Sequence, residues 1–333
     1  MKYEKRLKIL ILIKPFYEYL KHKPKWDMIQ ALEKIATVRY WHEDGHINEI
    51  IDFLKFEPDF ILHYDIAWRN GLSPNITGLE DVNIPKGAYV IDLHWDPDKR
   101  IEYIRNNRID LIFSPTKNPF LKVFPQFEEK LSWVPWAINQ EVMKDWKQPK
   151  DIQSLLLGLV HTTSEEMQEK NVAVPKMIPP KGRYEFRDQV LKRMLGENGF
   201  VFHPHPGHRV TEEENNFVKE AYAKELNRAK IFYTCGSRNE TGGIAVLKFF
   251  EALACNTLLL AETNEDIEEL GFIDGKNFVA CTVDDFYEKT MYYLTNKAER
   301  QAITANGYQF AHQNHTIEHR AVEMLEAIKK VVK

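Results

Sequence analysis

Cysteine is scarce in this chain and long apolar runs are missing, and each scarcity removes a class of protein. There are three cysteines, Cys235, Cys255 and Cys281, none of them in a CxxC pair. So sparse and odd a set argues against a disulfide framework and fits a reducing, cytoplasmic setting. No stretch approaches the roughly 20 apolar residues that a bilayer-spanning helix needs, so any membrane contact is expected to be peripheral at most. Lys2, Lys5 and Arg6 precede an apolar run, Ile9–Ile13, that is cut short by Lys14. That run is shorter than the core of about seven residues that a signal peptide requires, and no small-residue cleavage site follows. A basic excess is also lacking: 45 Lys and Arg stand against 49 Asp and Glu, a net charge of −4. A global field for nucleic acid is thereby excluded, although a local patch is not. Internal repeats and low-complexity segments are absent as well.

What remains is an ordinary globular balance, 44% hydrophobic and 28% charged, over 333 residues. That length is enough for about two domains. Short apolar runs alternate with amphipathic stretches, the signature of parallel α/β architecture. Strands are expected at Leu7–Ile13, Thr37–His42, Asp59–Tyr64, Ala88–Asp92, Asp110–Ser114 and Lys130–Pro135. Helices fall between them at Trp26–Ile35, Ile47–Phe56 and Pro97–Asn106. The polar stretch Lys144–Asp151, with Pro149 inside it, reads as a linker. A second series follows, with strands at Ser154–Val160, Phe200–His203, Lys230–Thr234, Thr257–Ala261 and Asn277–Cys281. Its helices are expected at Tyr184–Leu195, Glu212–Leu226, Ile244–Ala254 and Val283–Leu294. A last helix, Thr316–Val332, carries Ala321, Met324, Leu325, Ile328 and Val331 on one face. The expected domains are residues 1–148, 149–315 and a C-terminal helix, 316–333, that packs back toward the first domain. Two Rossmann-like units leave a cleft between them, and ligands of such sheets bind at the carboxyl ends of the strands.

The segment KIFYTCGSRNETGGIAVLKFFEALACNTLLL, Lys230–Leu260, is the most informative. A strand ends at Thr234, and a small, polar loop with Gly236, Ser237, Arg238, Thr241, Gly242 and Gly243 leads to a helix expected from Ile244. Strand, glycine loop and helix start form a phosphate-binding geometry, because the backbone can approach and exposed N–H groups favour an anion. Glycines that merely turn the chain fit the pattern equally well. The helix is apolar nearly all round, yet it contains Lys248 and Glu251. Either the two form an ordinary surface pair, or Lys248 faces a diphosphate and Glu251 accepts the hydroxyls of a ribose.

These residues carry a family resemblance. The run KFFEALACNTLLLAETNEDIEELGFIDGKNFV and the later YYLTNKAERQAITANGYQFAHQNHTIEHR resemble the C-terminal domain of GT-B glycosyltransferases of group 1. The likeness is strongest to the spore-maturation-protein-B-like (CgeB-like) branch, through Phe250–Leu260, Glu268–Asn277, His315, Thr316 and Arg320. It covers roughly residues 151–330. In the N-terminal half only YVIDLHWDPD and LSWVPWAI resemble the family. The resemblance implies a GT-B fold, a nucleoside-diphosphate-sugar donor with UDP favoured, and no obligatory metal or resident cofactor. It also implies that Glu251 holds the donor ribose. Two positions depart from the pattern. Gly243 stands where many relatives carry a second glutamate, which puts the sugar contact and the stereochemical course in doubt, and Asn256 replaces a usual glycine.

Further donor-side candidates flank this segment. Gly158 marks the end of the strand that borders the donor. Arg183 and Arg187 can clamp a diphosphate, as guanidinium groups match phosphate oxygens in pairs; a solvated basic helix start competes with that role. In FHPHPGHR, His205 is the expected phosphate contact and Arg209 adds charge, ahead of a plain surface loop and of a zinc site built with His203 and His208. On the acceptor side, Asp96 is the first candidate for general base and His94 the second. The competing role for Asp96 is to cap a helix opened by Pro97. Tyr17, Lys21 and Trp26 lie in a Lys- and aromatic-rich stretch after the first strand, suited to an anionic acceptor such as a cell-surface polymer, a lipid-linked glycan or a modified nucleic acid. Ordinary surface residues would look the same. The expected function is sugar transfer from a nucleotide-sugar to a hydroxyl, and the alternative is a non-catalytic protein of surface assembly that keeps the fold.

Overall fold

In a computed structural model, the structure describes residues 6–15, 20–64, 72–161, 184–206, 218–236 and 243–332. The chain divides into two compact units. One comprises Met1–Glu18, His22–Pro135 and Ile317–Lys333, and the other Tyr19–Lys21 and Trp136–Thr316.

The first unit is built on a six-stranded sheet. Its strands are β1 (Lys8–Leu12), β2 (Thr37–Trp41), β4 (Phe60–Tyr64), β6 (Lys86–Tyr89), β7 (Leu111–Ser114) and β8 (Leu131–Trp133). Their order is β2-β1-β4-β6-β7-β8, with every pair parallel. Two short strands, β3 (Gly45–His46) and β5 (Ile76–Thr77), pair separately. Buried parallel strands need apolar residues on both faces, and β1 supplies Ile9, Leu10, Ile11 and Leu12, all fully buried. The helices are α1 (Lys23–Gln30), α2 (Ile47–Leu54), α3 (Pro97–Asn106) and α4 (Asn118–Val123). Helix α1 starts earlier than its pattern suggests and gives way to a tighter turn at Ala31–Lys34. Strand β6 stops short of the expected Asp92, which has a left-handed backbone with φ 48°.

The second unit holds β9 (Ile152–Gly158), β10 (Phe200–Pro204), β11 (Ala229–Thr234), β12 (Leu258–Ala261) and β13 (Val279–Ala280), ordered β10-β9-β11-β12-β13 and parallel throughout. Alternate residues feed two core layers. Leu155, Leu157, Phe232 and Leu259 join one layer. Leu156, Ile231, Tyr233 and Leu260 join the other. The helices are α5 (Glu185–Met194), α6 (Lys219–Arg228), α7 (Lys248–Ala254), α8 (Glu265–Glu269), α9 (Phe286–Thr295) and α10 (Lys297–Asn314). The final helix, α11 (Ile317–Val331), is part of the first unit and buries Ala321, Met324, Leu325 and Ile328.

Three features differ from the sequence expectation. The stretch 144–151 is packed into the second unit rather than spanning free. Asn227 bonds the backbone of Lys144 and Trp146, and Lys150 Nζ donates to Ala229 O, Asn256 O and Thr257 Oγ1. Satisfying those carbonyls is what ties a polar segment down. The 18-residue α10 was not anticipated as a helix, because its buried face is Arg300, Ile303, Thr304, Gly307 and Ala311 rather than an apolar stripe. Gly307 allows the close approach: a Cβ there would lie 2.5 Å from Asn277 O and 2.8 Å from Leu253 Cδ2. Helix α7 begins at Lys248, one turn later than the expected Ile244. Among the described residues no helix is long and apolar enough to cross a membrane.

Candidate functional site

In the second unit, β9 leads to β10 on one side and the chain then returns to β11 on the other. The strand order therefore reverses between β9 and β11, and the crevice at their carboxyl ends is the position where open parallel sheets bind ligands. Gly158 ends β9 and Thr234 ends β11. Arg187, on α5, lies over both. Its Nη2 donates to Cys235 O at 3.0 Å and to Thr234 Oγ1 at 3.4 Å. A Cβ on Gly158 would come within 3.1 Å of its Nη1, so the glycine leaves room for the guanidinium. The ring of Tyr184 supports the opposite side, with the guanidinium carbon 4.4 Å from the centroid. Arg187 is only 4% exposed, which overturns the solvated helix start as its setting. His205 sits beside this crevice, its backbone N–H donating to Gly158 O at 3.2 Å.

Lys248 and Glu251 join the same neighbourhood. They are 8% and 6% exposed, so the surface pair is overturned in favour of burial. Glu251 is held from across the fold, as Tyr222 Oη on α6 donates to its Oε2 at 3.0 Å. Lys248 Nζ is buried and has no hydrogen-bond partner among the described residues. It lies 5.0 Å from the Tyr222 ring centroid. Burial, and then the like charge of Lys21, push its pKa well below the ordinary lysine value; Glu251 opposes the shift and Arg187 adds to it. An orphaned ammonium is costly, and an anion would relieve the cost. Lys21, expected on the acceptor side, thus belongs with the second unit and acts on Lys248.

A helix-start phosphate seat at Gly243 is not what forms. Residue 243 is followed by an isolated bridge residue, Ile244, and a turn, and α7, which begins only at Lys248, has seven residues. Gly243 instead lines a cavity of about 550 Å³ at the carboxyl ends of β11, β12 and β13, with Gly236, Glu262, Asn264, Asp285 and Lys289 among its walls. Gly236 is needed for close passage of the chain, since a Cβ there would lie 2.8 Å from Ile244 O. Gly236 and Gly243 were flagged by the sequence pattern, whereas Tyr222 and the walls from Glu262 to Lys289 escaped it. The strand-end rule alone could have flagged Glu262 and Asn264, which directly follow β12.

Several candidates resolve differently. His203 is paired with Glu225 at 2.8 Å, and Glu225 in turn with Arg228 at 2.9 Å. Among the described residues no three metal-capable side chains converge. Asp96 occupies the N-cap position of α3 with φ 39°, but its side chain makes no capping bond; His94 is exposed. Trp26 is buried, its ring 5.1 Å from that of Tyr40, and so is packed in the first unit rather than offered at a rim. Tyr17, Arg183, Arg209, Ser237, Arg238, Thr241 and Gly242 lie outside the described residues.

Residues 184–326 match a family model described as glycosyl transferase-like, and this span contains Arg187, Tyr222, Lys248, Glu251 and the cavity. No curated protein matches the chain. Solved structures resemble it over nearly its whole length. They include HepE of Anabaena in complex with UDP and glucose (11% identity, 98% of this chain and 100% of that one, TM-score 0.59). A glycosyltransferase from Rickettsia africae is similar at 10% identity, covering 99% and 100%, with a TM-score of 0.59. Sucrose-phosphate synthase from Thermosynechococcus elongatus is similar at 10% identity, covering 98% and 99%, with a TM-score of 0.60. The glycosyl transferase-like match thus lies mainly in the second unit, and the chain has the fold of GT-B glycosyltransferases.

Proposed function

We propose that the protein is a glycosyltransferase of the CgeB-like branch that moves a sugar from a nucleoside-diphosphate-sugar to a hydroxyl acceptor. The observation that carries this is the buried Lys248 ammonium, without a hydrogen-bond partner among the described residues, beside Arg187 at the strand-order reversal. The donor diphosphate would accept hydrogen bonds from both cations, and Glu251, steadied by Tyr222, would accept those of the ribose hydroxyls. In the reaction the bond between the anomeric carbon and the diphosphate oxygen breaks and the leaving group takes the electron pair. Arg187 and Lys248 offset the charge that develops there, so the scheme needs no metal. The acceptor oxygen bonds to the anomeric carbon and its proton passes to a base, for which Asp96 is our first assignment and His94 our second. His205 would supply a further phosphate contact. UDP is the favoured nucleotide, in keeping with the UDP held by HepE. The acceptor is proposed to be a polyanion: a cell-surface polymer, a lipid-linked glycan or a modified nucleic acid.

Gly243, without a carboxylate, favours the second reading of a non-catalytic protein that binds the same donor. Release of UDP from UDP-glucose separates the two. Transfer predicts release that persists in EDTA and falls at least about tenfold in Glu251→Ala. UDP binding without release supports the second reading, and a protein that binds no nucleoside diphosphate contradicts both.

A further inference from the structure

Resting on the donor-site reading above, we infer that the cavity at the carboxyl ends of β11–β13 is the seat of the donor sugar, and that its charge selects a neutral or amino sugar over a uronic one. The cavity belongs wholly to the second unit. Its volume, about 550 Å³, lies within the range of small-molecule sites.

Position argues for the sugar. Gly236, in the cavity wall, directly follows Cys235, whose carbonyl holds Arg187. Consecutive Cα atoms are about 3.8 Å apart, so the cavity opens one residue from the proposed diphosphate anchor. Arg187 approaches β11 from the β9 side, whereas the cavity lies on the β12 and β13 side. A nucleotide-sugar with its diphosphate at Arg187 and its ribose at Glu251 would thus send its third part, the sugar, toward the cavity.

Chemistry agrees. Among the described residues lining the cavity there is no aromatic ring on which a base could stack. Carboxylates and an amide are there instead, groups that take hydroxyl hydrogen bonds. Asn264 uses its Oδ1 to cap α8, accepting from Ile267 N–H at 3.1 Å. Its NH2 group lies 3.2 Å from where a Cβ on Gly243 would stand and has no partner among the described residues. The absent side chain at Gly243 therefore keeps that amide open to the cavity. Among the described lining residues Glu262, Asp274 and Asp285 supply three negative charges against one positive charge, that of Lys289. Lys289 is itself engaged, 2.6 Å from Asp285 and donating to Ala280 O at 2.7 Å. A carboxylate on the sugar would meet net repulsion, and hydroxyl or ammonium groups would not.

The test is calorimetric binding of UDP, UDP-glucose and UDP-glucuronate to the intact chain. UDP-glucose should bind at least about tenfold more tightly than UDP-glucuronate. Glu262→Gln should narrow that preference, and Gly243→Leu should remove the advantage of UDP-glucose over UDP; both should leave UDP affinity unchanged. Equal affinity for the two donors, unaltered in either variant while UDP still binds, would overturn the sugar seat and leave the donor-site reading standing. Failure of UDP itself to bind would overturn both. Glu262→Gln changes a partly exposed side chain at constant size, so the test survives if the leucine variant does not fold.

Discussion

The two units contain parallel sheets that reverse strand order in the same way, yet a buried cation in each, Arg100 and Lys248, is treated differently. In the first, His63 and Arg100 have acceptors or donors within the protein, although the buried hydroxyls of Tyr89 and Thr116 have no hydrogen-bond partner among the described residues. His63 on β4 donates from Nε2 to Pro74 O at 3.0 Å, and its Nδ1 accepts from Tyr103 Oη. Arg100 is fully buried and donates to Ile91 O and Asp92 O. In the second unit Arg187 is partly closed, and Lys248 has the face of Tyr222 and the nearby charge of Glu251 but no hydrogen bond among the described residues. A buried cation whose bonds are all internal is a structural brace, whereas one left without an acceptor is stability given up for a ligand. Lys150 and Lys248 draw the same contrast within one unit. Burial holds the pKa of Lys150 down to about 8, but three oxygens receive its ammonium.

The sharpest way to break this comparison is to remove one cation of each kind. Arg100→Met should cost about 3 kcal/mol in urea unfolding, because carbonyls lose their donor, while nucleotide affinity stays unchanged. Lys248→Met should do the reverse. It is expected to stabilise the fold by about 1 kcal/mol and to weaken UDP binding at least about tenfold. If both variants lose stability alike, Lys248 is a brace and the contrast fails.

A smaller effect concerns pH. Burial lowers the pKa of His63 to about 4, with the Pro74 bond opposing. Between about 4 and the ordinary value near 6.5 the unfolded chain binds a proton that the folded chain does not. Stability contributed by this site is thus full above that window and falls as pH drops through it. His63→Asn should flatten the acid limb of the stability profile; an unchanged slope would show that His63 titrates normally. Smallest of all, Tyr222→Phe should cost about 1 kcal/mol and reduce the preference for UDP over 2′-deoxy-UDP, because Glu251 loses its steadying bond.

Much of the fold was legible in the sequence because buried parallel strands are continuous apolar runs, as in Leu155–Leu157, and because Pro97 marks the start of α3 where it was expected. Helix α10 was not legible, since its packing depends on the small face around Gly307. At the candidate site, Lys248 and Glu251 stood out as charges in an apolar helix. Their partners did not, because Tyr222 lies 29 residues from Glu251 and only the crossing of β11 brings them together. The late start of α7 was hidden too, since apolar residues at 244–247 continue the helical pattern although the helix begins only at Lys248.

The most direct measurement is isothermal titration of UDP into the wild type and Lys248→Met above neutral pH, in two buffers of different ionisation enthalpy. A diphosphate beside Lys248 raises its depressed pKa, so binding should take up protons, and affinity should fall as pH rises through the window between the free and bound values. The account predicts proton uptake in the wild type and its loss, with weaker binding, in the variant. Equal affinity and no proton uptake in either protein would show that the diphosphate sits elsewhere.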